Sequence, residues 1–561
     1  MTVPSNLRSG AEVLLDQLRI HGVDLAFGVP GESYLAVLDA YHDATDLRYV
    51  ICRQEGGAAM MADAYGKLTG RPGICFVTRG PGATNASIGV HIADQDSTPM
   101  ILFVGQVARG ALEREAFQEI DYRRMFGDMT KWVAQIDDAA RIPELVSRAF
   151  YTATSGRPGP VVLALPEDML TDRVAVDDVA RYREVQAHPD VGDMDRLAAM
   201  LAAAERPFVI VGGSGWDAAA CDAVQSFALA NGLPVGAAFR CLDYIDNGQA
   251  CFAGHVGIGI NPNLRDRVES ADLLLVIGAR LGEITTSGYS FIAPPRPRQK
   301  LIHVHAGADE LGRVYQPDLA INAGMKAFAR ALAALPSVDR PRWAQWTAAA
   351  RQDYLDFIDP PQIPGRLQMG EVMAWLRENL PADAILTNGA GNYTVWPNTF
   401  HQYRSYRSLL GPTAGSMGYG MPAAVAAKLV HPDRPVVCFA GDGCFLMNGQ
   451  ELATAVQYGL HVVVLVVNNG MFGTIRMHQE RSYPGRVSGT GLTNPDFAAY
   501  ARAFGATGET VESTEQFAPA FERAMAADGP ALIELCVDPE ALTPRASISD
   551  VRTAAAARLK A

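Results

Sequence analysis

The chain of 561 residues is too long for one hydrophobic core, and about three to four domains are expected at this length. Its formal net charge of −13 argues against nucleic acid or an anionic membrane surface as a partner. It contains no run of about 18 uncharged apolar residues, so no transmembrane span is expected. The eight cysteines include no CxxC pair, which predicts free thiols in a reducing compartment, with the cytoplasm as the default location.

Apolar strand patterns alternate with helical patterns from one end of the chain to the other. The clearest strand patterns are, in chain order, GICFVT, MILFVG, PVVLALP, PFVIVGG, LLLVIGA, PVVCFAG and HVVVLVV. Parallel strands are joined by helical crossovers and are buried on both faces, so such an alternation favours parallel sheets covered by helices. The fold class is therefore predicted to be α/β, with three doubly wound parallel-sheet domains.

Two joints divide the chain into three blocks. The first joint is the polar stretch YREVQAHPDVGD, and the second is the proline-rich stretch DFIDPPQIPGR. We therefore predict an N-terminal domain over residues 1–180, a central Rossmann-like domain over residues 190–340 and a third domain over residues 365–540. The tail, residues 541–561, has a weak core pattern and is predicted to be either a lid or a frayed end.

The third block places two polar side chains at the ends of consecutive strands. Asp442 lies in the GDG that follows PVVCFAG, and Asn469 lies in the NNG that follows HVVVLVV, with a helical pattern between them. A βαβ unit has parallel strands, so both residues are expected at the carboxyl edge of one sheet, where ligands bind. Such oxygen ligands suit Mg²⁺, which also takes phosphate oxygens. On these residues alone, a strand-end turn without a metal is the alternative.

GDG followed at this spacing by Asn-Asn resembles the thiamine diphosphate signature of the acetolactate synthase/pyruvate decarboxylase superfamily. The resemblance implies that Asp442, Asn469 and the main-chain oxygen of Met471 bind Mg²⁺. It also implies that Met417, in GSMGYGMPAAVAA, supports the cofactor in a bent shape, although a core methionine would look the same. The further contacts with the cofactor that it implies are Gly391, Asn392, Tyr393, Ser416, Gly441, Gly443, Cys444, Phe472 and Gly473.

A second match lies in the first block. RQEGGAAMMADAYGKLTGRPG followed by TRGPGATN resembles the pyrimidine-domain signature of the same superfamily. It implies that Glu55 shares a proton with the aminopyrimidine ring of thiamine diphosphate and so promotes deprotonation of the thiazolium carbon. Without this match, Glu55 would be explained as a first-turn glutamate favoured by the helix dipole.

The substrate pocket is the next feature that the resemblance addresses. EAFQEID is similar to a pocket-lining stretch of acetolactate synthases, which implies a role for Phe117 and Gln118. A core phenylalanine and a surface glutamine are the structural alternatives. The chain departs from the synthases at Glu32 and Ser33, where they have small residues, and at Glu167, where they often have lysine. These changes place a carboxylate near the reacting centre and question a plain pyruvate pocket.

The central block matches the superfamily less well. FVIVGGSGWDAA resembles a dinucleotide-binding turn, but no suitably placed acidic residue follows it. GARLGEITTSG retains only Arg280 of the stretch that follows the strand in flavin-containing acetolactate synthases, so FAD is the less favoured expectation. His303 and His305 share one strand face and are predicted to be a structural pair rather than a metal site.

The resemblance covers nearly the whole chain and implies a pyrimidine-binding first domain and a diphosphate- and Mg²⁺-binding third domain. It implies decarboxylation of a 2-oxo acid with carboligation to an acceptor carbonyl. The nearest alternative is a non-oxidative 2-oxo acid decarboxylase or a C–C lyase acting on a larger substrate. A non-catalytic binding module is an alternative of a different class, and the retention of Glu55, Asp442, Asn469 and Met417 together argues against it. A flavin dehydrogenase or oxidase is the third alternative. Because the first block of one subunit meets the third block of its partner in this superfamily, a homodimer or homotetramer is expected.

Overall fold

The computed structural model describes residues 7–338 and 342–560. They form two compact units that divide between Val185 and Gln186. This part of the chain contains three six-stranded sheets, one in the first unit and two in the second. Every strand pair within these sheets is parallel. The predicted α/β fold with three doubly wound parallel sheets is therefore confirmed.

The first unit alternates strands and helices, as its sequence pattern predicts. Its elements are β1 (Arg8–Ser9), α1 (Gly10–Ile20), β2 (Leu25–Gly28), α2 (Leu35–Asp43), β3 (Arg48–Ile51), α3 (Glu55–Thr69), β4 (Gly73–Val77), α4 (Pro81–Asp96), β5 (Met100–Gln106), α5 (Tyr122–Phe126), β6 (Trp132–Gln135), α6 (Ile142–Thr154), β7 (Pro160–Pro166) and β8 (Arg173–Val174). Strands β4, β5 and β7 are buried along their whole length, which explains their unbroken apolar sequences. The short strands β1 and β8 pair antiparallel, outside the sheet.

The strand order of the first sheet is β3-β2-β4-β5-β7-β6. The direction in which strands are added reverses between β2 and β4, and open α/β sheets bind ligands at the carboxyl ends of strands beside such a reversal. Helices α3 and α4 cross closely over this sheet, because a Cβ on Gly89 would lie only 2.4 Å from the Cβ of Ala59. The glycine thus allows the two helices to pack against each other.

The central sheet begins the second unit. Its strands and helices are α7 (Val191–Ala203), β9 (Pro207–Val211), α8 (Ala218–Ala230), β10 (Val235–Ala238), β11 (Phe252–Val256), α9 (Pro262–Ser270), β12 (Leu273–Ile277), β13 (Lys300–His305), β14 (Leu319–Asn322), α10 (Met325–Ala333) and α11 (Ala344–Phe357). The strand order is β11-β10-β9-β12-β13-β14, which is the order of a Rossmann sheet. The central sheet therefore has a Rossmann-like strand order, and the bounds of the central domain stay a prediction.

The two histidines of β13 are held by main-chain groups. His303 Nε2 lies 3.0 Å from the carbonyl oxygen of Ala279, and Gly307 N donates to His305 Nδ1 over 3.0 Å. Both rings are buried, and burial lowers the pKa of His303. These contacts agree with the predicted structural role.

The third sheet completes the second unit. Its elements are α12 (Met369–Asn379), β15 (Ile385–Asn388), α13 (Val395–Phe400), β16 (Leu409–Leu410), α14 (Gly420–Val430), β17 (Val436–Gly441), α15 (Asp442–Asn448), α16 (Leu452–Gln457), β18 (Val463–Asn468), α17 (Gly473–Ser482), α18 (Phe497–Ala503), β19 (Thr507–Val511), α19 (Thr514–Met525), β20 (Ala531–Cys536) and α20 (Ile548–Lys560). The strand order, β16-β15-β17-β18-β20-β19, repeats that of the first sheet. One hydrophobic core cluster contains residues of both sheets of this unit, among them Val209 and Leu386.

The C-terminal tail is a docked helix. Arg552 of α20 donates through Nε and Nη2 to the two oxygens of Glu480 in α17, over 2.9 and 2.8 Å. Glu480 is buried, and the hydrogen bond from Arg552 lowers its pKa to about 2. Ile548 packs against Met477 and Leu542. Of the two predicted alternatives, the frayed end is therefore wrong, because these contacts hold the tail on α17. The role of a lid stays a prediction.

Two further sequence predictions concern the environment of the protein. No helix in the described ranges combines the length and the apolar character needed to cross a membrane. All eight cysteines lie in these ranges as free thiols, and all except Cys536 are buried.

The start of β4 gives a sharp test of packing in the first unit. A Cβ on Gly73 would lie 1.8 Å from the carbonyl oxygen of Ala62, in the backbone of α3. Because neither backbone can yield easily, we expect Gly73→Ala to lower the free energy of unfolding by about 2–4 kcal/mol. Urea denaturation, followed by circular dichroism, measures this change.

Gly110→Ala is the matched control, because a Cβ at this position has nothing within 4 Å. Its free energy of unfolding should stay within about 0.5 kcal/mol of the parent value. Equal stability of the two variants would contradict the close packing of β4 against α3.

Candidate functional site

Asp442 lies where β17 passes directly into α15. The crossover helix starts at Asp442 itself and is interrupted by a 3₁₀ turn at Gly449–Glu451. The Asp442 carboxylate is buried and accepts from Gly443 N over 2.9 Å and from Asn494 Nδ2 over 2.8 Å. The main-chain N–H groups of Gly470 and Met471 also point to it. The carboxylate therefore lies among N–H donors at a helix N-terminus.

The charge of this carboxylate is not balanced by a basic side chain. Within residues 7–338 and 342–560, Asp442 makes no ion pair with lysine, arginine or histidine. Burial raises its pKa above the ordinary value, and the surrounding hydrogen bonds offset this only in part. A buried carboxylate without a cationic partner is costly, so these residues fit a bound divalent cation.

The two asparagines after β18 have different surroundings. Val467 is in register with Gly441, so the predicted meeting of both strand ends at one sheet edge is confirmed. Asn468 accepts through Oδ1 from Asn494 Nδ2 over 2.9 Å and donates to Glu534 over 2.7 Å. Its side chain is thus used within the protein. Asn469 is half-buried at the same edge, and its contact with a metal stays a prediction.

Asn494 is a site residue that the sequence analysis missed. Its Nδ2 group joins the Asp442 carboxylate to Asn468, while its own Oδ1 is buried without a hydrogen-bond partner in the described part of the chain. The local sequence TNPDF contains an asparagine before a proline, which is common in turns and helix caps. Nothing in that pattern indicates a contact with a residue 52 positions earlier.

The segment after Asn469 is fastened by main-chain pairing. Phe472 N donates to the carbonyl oxygen of Thr490 over 2.9 Å, and Leu492 N donates to that of Gly470 over 2.8 Å. Phe472 packs on the start of α15, where a Cβ on Gly443 would meet its ring at 2.5 Å. The Met471 carbonyl oxygen accepts from the main-chain N–H of Gly473, another predicted residue, over 2.9 Å. One lone pair of this oxygen therefore remains for a metal.

Tyr393 organises the glycine turns of the third sheet. Its hydroxyl accepts from Gly389 N over 3.0 Å and donates to Cys444 Sγ over 3.1 Å. A Cβ on Gly391 or on Gly441 would meet its ring at 2.9 or 2.8 Å. The predicted residues Gly391, Tyr393, Gly441 and Cys444 are thus brought together, with the tyrosine hydroxyl used inside the protein.

The remaining predicted residues of this unit are Asn392, Ser416 and Met417. Asn392 accepts from Thr474 Oγ1 over 2.9 Å and donates to the carbonyl oxygen of Leu542, so it links the site to α17 and to the tail. Ser416 Oγ donates to the carbonyl oxygen of Met417 over 3.1 Å. The Met417 side chain is half-buried against the core of this unit.

In the first unit, Glu55 is the first residue of α3, at the carboxyl end of β3. Its Oε2 accepts from Asn85 Nδ2 of α4 over 2.9 Å. A Cβ on Gly82, in the first turn of α4, would lie 3.6 Å from its Oε1. The close crossing of α3 and α4 therefore holds this half-buried carboxylate beside the first turns of α4.

The predicted pocket residues Phe117 and Gln118 lie in the loop before α5. Gln118 has a φ of 65°, which is uncommon for a residue other than glycine. A Cβ on Gly80 would lie 2.8 Å from the Gln118 carbonyl oxygen, so the loop covers the turn after β4. The Phe117 ring is 72% exposed, which excludes the alternative that it is a core residue of this unit. Both residues thus reach the carboxyl edge of the first sheet.

Arg79, in the turn after β4, is the second residue that sequence reasoning missed. It forms ion pairs with Glu32 over 2.7 Å and with Glu167 over 3.0 Å, and its Nε donates to the Phe117 carbonyl oxygen over 3.1 Å. Ser33 Oγ accepts from Arg79 N over 3.2 Å. The two carboxylates that distinguish this chain from acetolactate synthases are therefore joined by one guanidinium.

The glycine turn after β9 is engaged in contacts within the protein. Gly213 packs directly on the turn after β12, because its Cβ would lie 1.9 Å from the Gly278 carbonyl oxygen. Asp217 caps α8 by accepting from Ala220 N over 2.8 Å. A carboxylate thus caps the helix that follows the glycine turn, and FAD stays the less favoured expectation.

Three family models match the chain in order. They are the N-terminal thiamine pyrophosphate binding domain of thiamine pyrophosphate enzymes over residues 8–125, their central domain over residues 194–332 and their C-terminal thiamine pyrophosphate binding domain over residues 389–535. Thiamine pyrophosphate is thiamine diphosphate. The first match contains Glu55, and the third contains Asp442 and Asn469.

The chain is also similar to characterised proteins over nearly its whole length. It is 34% identical to the acetolactate synthase large subunit of Parasynechococcus marenigrum, with 94% of this chain and 87% of that protein covered. It is 30% identical to the isozyme 2 large subunit of Escherichia coli (94% and 96% covered) and to the large subunit of Lactococcus lactis (94% and 92% covered). The chain therefore belongs to the thiamine pyrophosphate enzyme family that includes the acetolactate synthase large subunits.

Proposed function

We propose that this enzyme uses thiamine diphosphate and Mg²⁺ to decarboxylate a 2-oxo acid and to join the remaining fragment to an acceptor carbonyl, as acetolactate synthases do. The observation that carries the metal assignment is the buried Asp442 carboxylate, which has N–H donors around it and no basic partner in the described ranges. The relatives named above support the carboligation, since all three are acetolactate synthase subunits.

Each residue has a definite task in this proposal. Bound thiamine diphosphate supplies a thiazolium carbon that is nucleophilic once deprotonated and then accepts the electrons released by decarboxylation. Glu55 holds a proton at the aminopyrimidine ring. Asp442, Asn469 and the Met471 carbonyl oxygen hold Mg²⁺, and Asn494 keeps the Asp442 carboxylate oriented. Phe117 and Gln118 border the substrate. FAD has no role in the proposed reaction.

We further propose that the active enzyme is a homodimer or homotetramer. In each unit, large apolar side chains are exposed near the sheet edge that carries the proposed site residues, which supports covering of both edges by another copy of the chain. These side chains are Leu35, Ile51, Ile88, Phe117, Leu446, Met447 and Ile475. A monomer in sedimentation velocity at assay concentration would exclude this proposal. The free cysteines support a reducing compartment, and we place the enzyme in the cytoplasm.

The proposed reaction is tested by supplying 2-oxo acids with and without an acceptor aldehyde or 2-oxo acid, and by following CO₂ release and product mass. We expect a ligated product whose mass is the sum of the decarboxylated donor and the acceptor. If only free aldehyde forms with every acceptor, the enzyme is the alternative, a non-oxidative decarboxylase of a 2-oxo acid. Release of a carbonyl compound without CO₂ would instead indicate a C–C lyase.

The role of Glu55 is tested by Glu55→Gln. The amide keeps the shape of the side chain but cannot take up a proton, so hydrogen–deuterium exchange at the thiazolium carbon should slow by about 10²- to 10⁴-fold. Cofactor affinity should change little, because the metal ligands are untouched. Nuclear magnetic resonance of the bound cofactor measures the exchange, and calorimetry measures the affinity.

Glu144→Gln, at an exposed position of α6, serves as the control and should exchange at the parent rate. Parent-like exchange in Glu55→Gln as well would remove Glu55 from the proposed role.

The role of Asp442 is tested by Asp442→Asn, which removes the charge with little change of volume. We expect Mg²⁺-dependent cofactor affinity to fall at least about 100-fold, as calorimetry would show. In the parent protein, the rise in melting temperature on adding Mg²⁺ and cofactor should shrink as the pH is lowered towards the pKa of Asp442. The reason is that burial raises this pKa, so protonation stabilises the cofactor-free fold and competes with the metal.

Asp356→Asn, an exposed position of α11, is the control and should retain the full cofactor-induced rise. Unchanged Mg²⁺-dependent affinity in Asp442→Asn would show that the metal binds elsewhere.

A further inference from the structure

Glu32, Arg79 and Glu167, which we call the Arg79 cluster, lie at the carboxyl ends of three strands of the first sheet. Glu32 follows β2, Arg79 follows β4, and Glu167 follows β7 directly. β2 and β4 are the strands between which the direction of strand addition reverses. The cluster is therefore located where an open α/β sheet binds its ligand.

The cluster is also close to Glu55, the proposed proton carrier. Arg79 and Gly82 lie three residues apart in one turn, which spans at most roughly 10 Å. At one end of this turn, Arg79 bonds to Glu32 and Glu167. At the other end, Gly82 lies against the Glu55 carboxylate. The cluster and the Glu55 carboxylate are therefore joined by one short turn at the same edge of the first sheet.

The positive member of the cluster is covered, and the negative members face outwards. The Arg79 side chain is only 8% exposed, whereas Glu32 is 70% and Glu167 43% exposed. The three groups of the guanidinium each donate to an oxygen, two to the glutamates and one to the Phe117 carbonyl. An approaching ligand therefore meets the carboxylate oxygens first. The three side chains together carry a single net negative charge.

A purely structural ion-pair network would not need this composition. One carboxylate is sufficient to compensate a buried guanidinium, and exposed ion pairs add little to stability. The position of the arginine is already set by its backbone, because Arg79 N donates to Ser33 Oγ, and Ser33 Oγ lies 2.9 Å from Thr78 Oγ1. The second carboxylate adds a negative charge at the ligand-binding edge without being required to hold Arg79.

We propose that the Arg79 cluster selects substrates by charge. It favours a 2-oxo acid whose side chain is neutral or carries hydrogen-bond donors such as hydroxyl or ammonium groups, and it rejects a 2-oxo acid with a second carboxylate. Hydroxyl and ammonium donors can bind the exposed oxygens of Glu32 and Glu167, whereas a carboxylate is repelled. This inference rests on the proposed function, because it requires a 2-oxo acid that binds at this edge of the first sheet.

The experiment compares 2-oxopentanoate with 2-oxoglutarate, two five-carbon acids that differ by one carboxylate. The full chain is loaded with thiamine diphosphate and Mg²⁺, and kcat/KM for CO₂ release is measured for each acid. Dissociation constants come from calorimetry in the Glu55→Gln background, in which slow turnover leaves the acids intact. The wild-type protein should favour 2-oxopentanoate by roughly tenfold or more in both measurements.

In the double variant Glu32→Gln with Glu167→Gln, the net local charge changes from negative to positive. The preference should move towards 2-oxoglutarate by roughly tenfold or more, and added salt should reduce the change. Should the double variant fold poorly, Glu167→Gln alone leaves Glu32 to compensate Arg79 and should move the preference in the same direction by a smaller factor. Glu144→Gln is the control for an exposed charge elsewhere in the unit and should leave the preference unchanged.

The outcomes separate this inference from the proposed function. An unchanged ratio of dissociation constants in all the cluster variants overturns charge selection, even if CO₂ is released. If the dissociation constants show the expected ratios but no acid releases CO₂, the result supports charge selection and contradicts the proposed reaction. A wild-type preference for 2-oxoglutarate would overturn the inference directly.

Discussion

A single buried carboxylate determines how the carboxyl edge of the third sheet is built. Asp442 has no basic partner in the described ranges, so its charge is stabilised by N–H donors alone. These donors come from three separate segments: the start of α15, the loop at Gly470 and Met471, and the side chain of Asn494. Because each segment must reach the same carboxylate, the loop after β18 and the chain before α18 are drawn together. The main-chain pairing of residues 470–472 with residues 490–492 follows from this constraint.

The first and third sheets have the same strand order but carry different side chains at the equivalent point. In both sheets the third strand in sequence, β4 or β17, lies beside the reversal and is followed by a helix, α4 or α15. The junction between strand and helix holds Arg79 in the first sheet and Asp442 in the third. The same backbone arrangement thus presents a covered guanidinium with two outward carboxylates in one unit and a buried carboxylate suited to a cation in the other. The chemistry at each edge depends on the side chains, not on the strand order.

Much of this arrangement could be predicted because it depends on sequence patterns within short stretches of the chain. Buried parallel strands have continuous apolar sequences, and a βαβ unit places both strand ends at one edge, so the positions of Asp442 and Asn469 at that edge could be deduced. Glu55 could be placed at the start of a helix by the same reasoning. Arg79 could not be identified, because its partners lie 47 and 88 residues away. Asn494 was missed for the same reason, and the sequence left the two alternatives for the tail open because its contacts with α17 are made by few residues.

The resemblance to a known family implied the acidic residues expected to act at the carboxyl edge, whereas the sequence pattern by itself determined the α/β class and the edge at which ligands bind. These follow from hydrophobic period and chain direction, which are properties of short stretches. The tertiary structure decided which polar groups face one another: Glu32 and Glu167 across Arg79, Asn494 across Asp442 and Asn468, and Arg552 across Glu480. Such pairs form only when the strand order brings distant segments together, and strand order is set by packing of the whole sheet rather than by any local pattern.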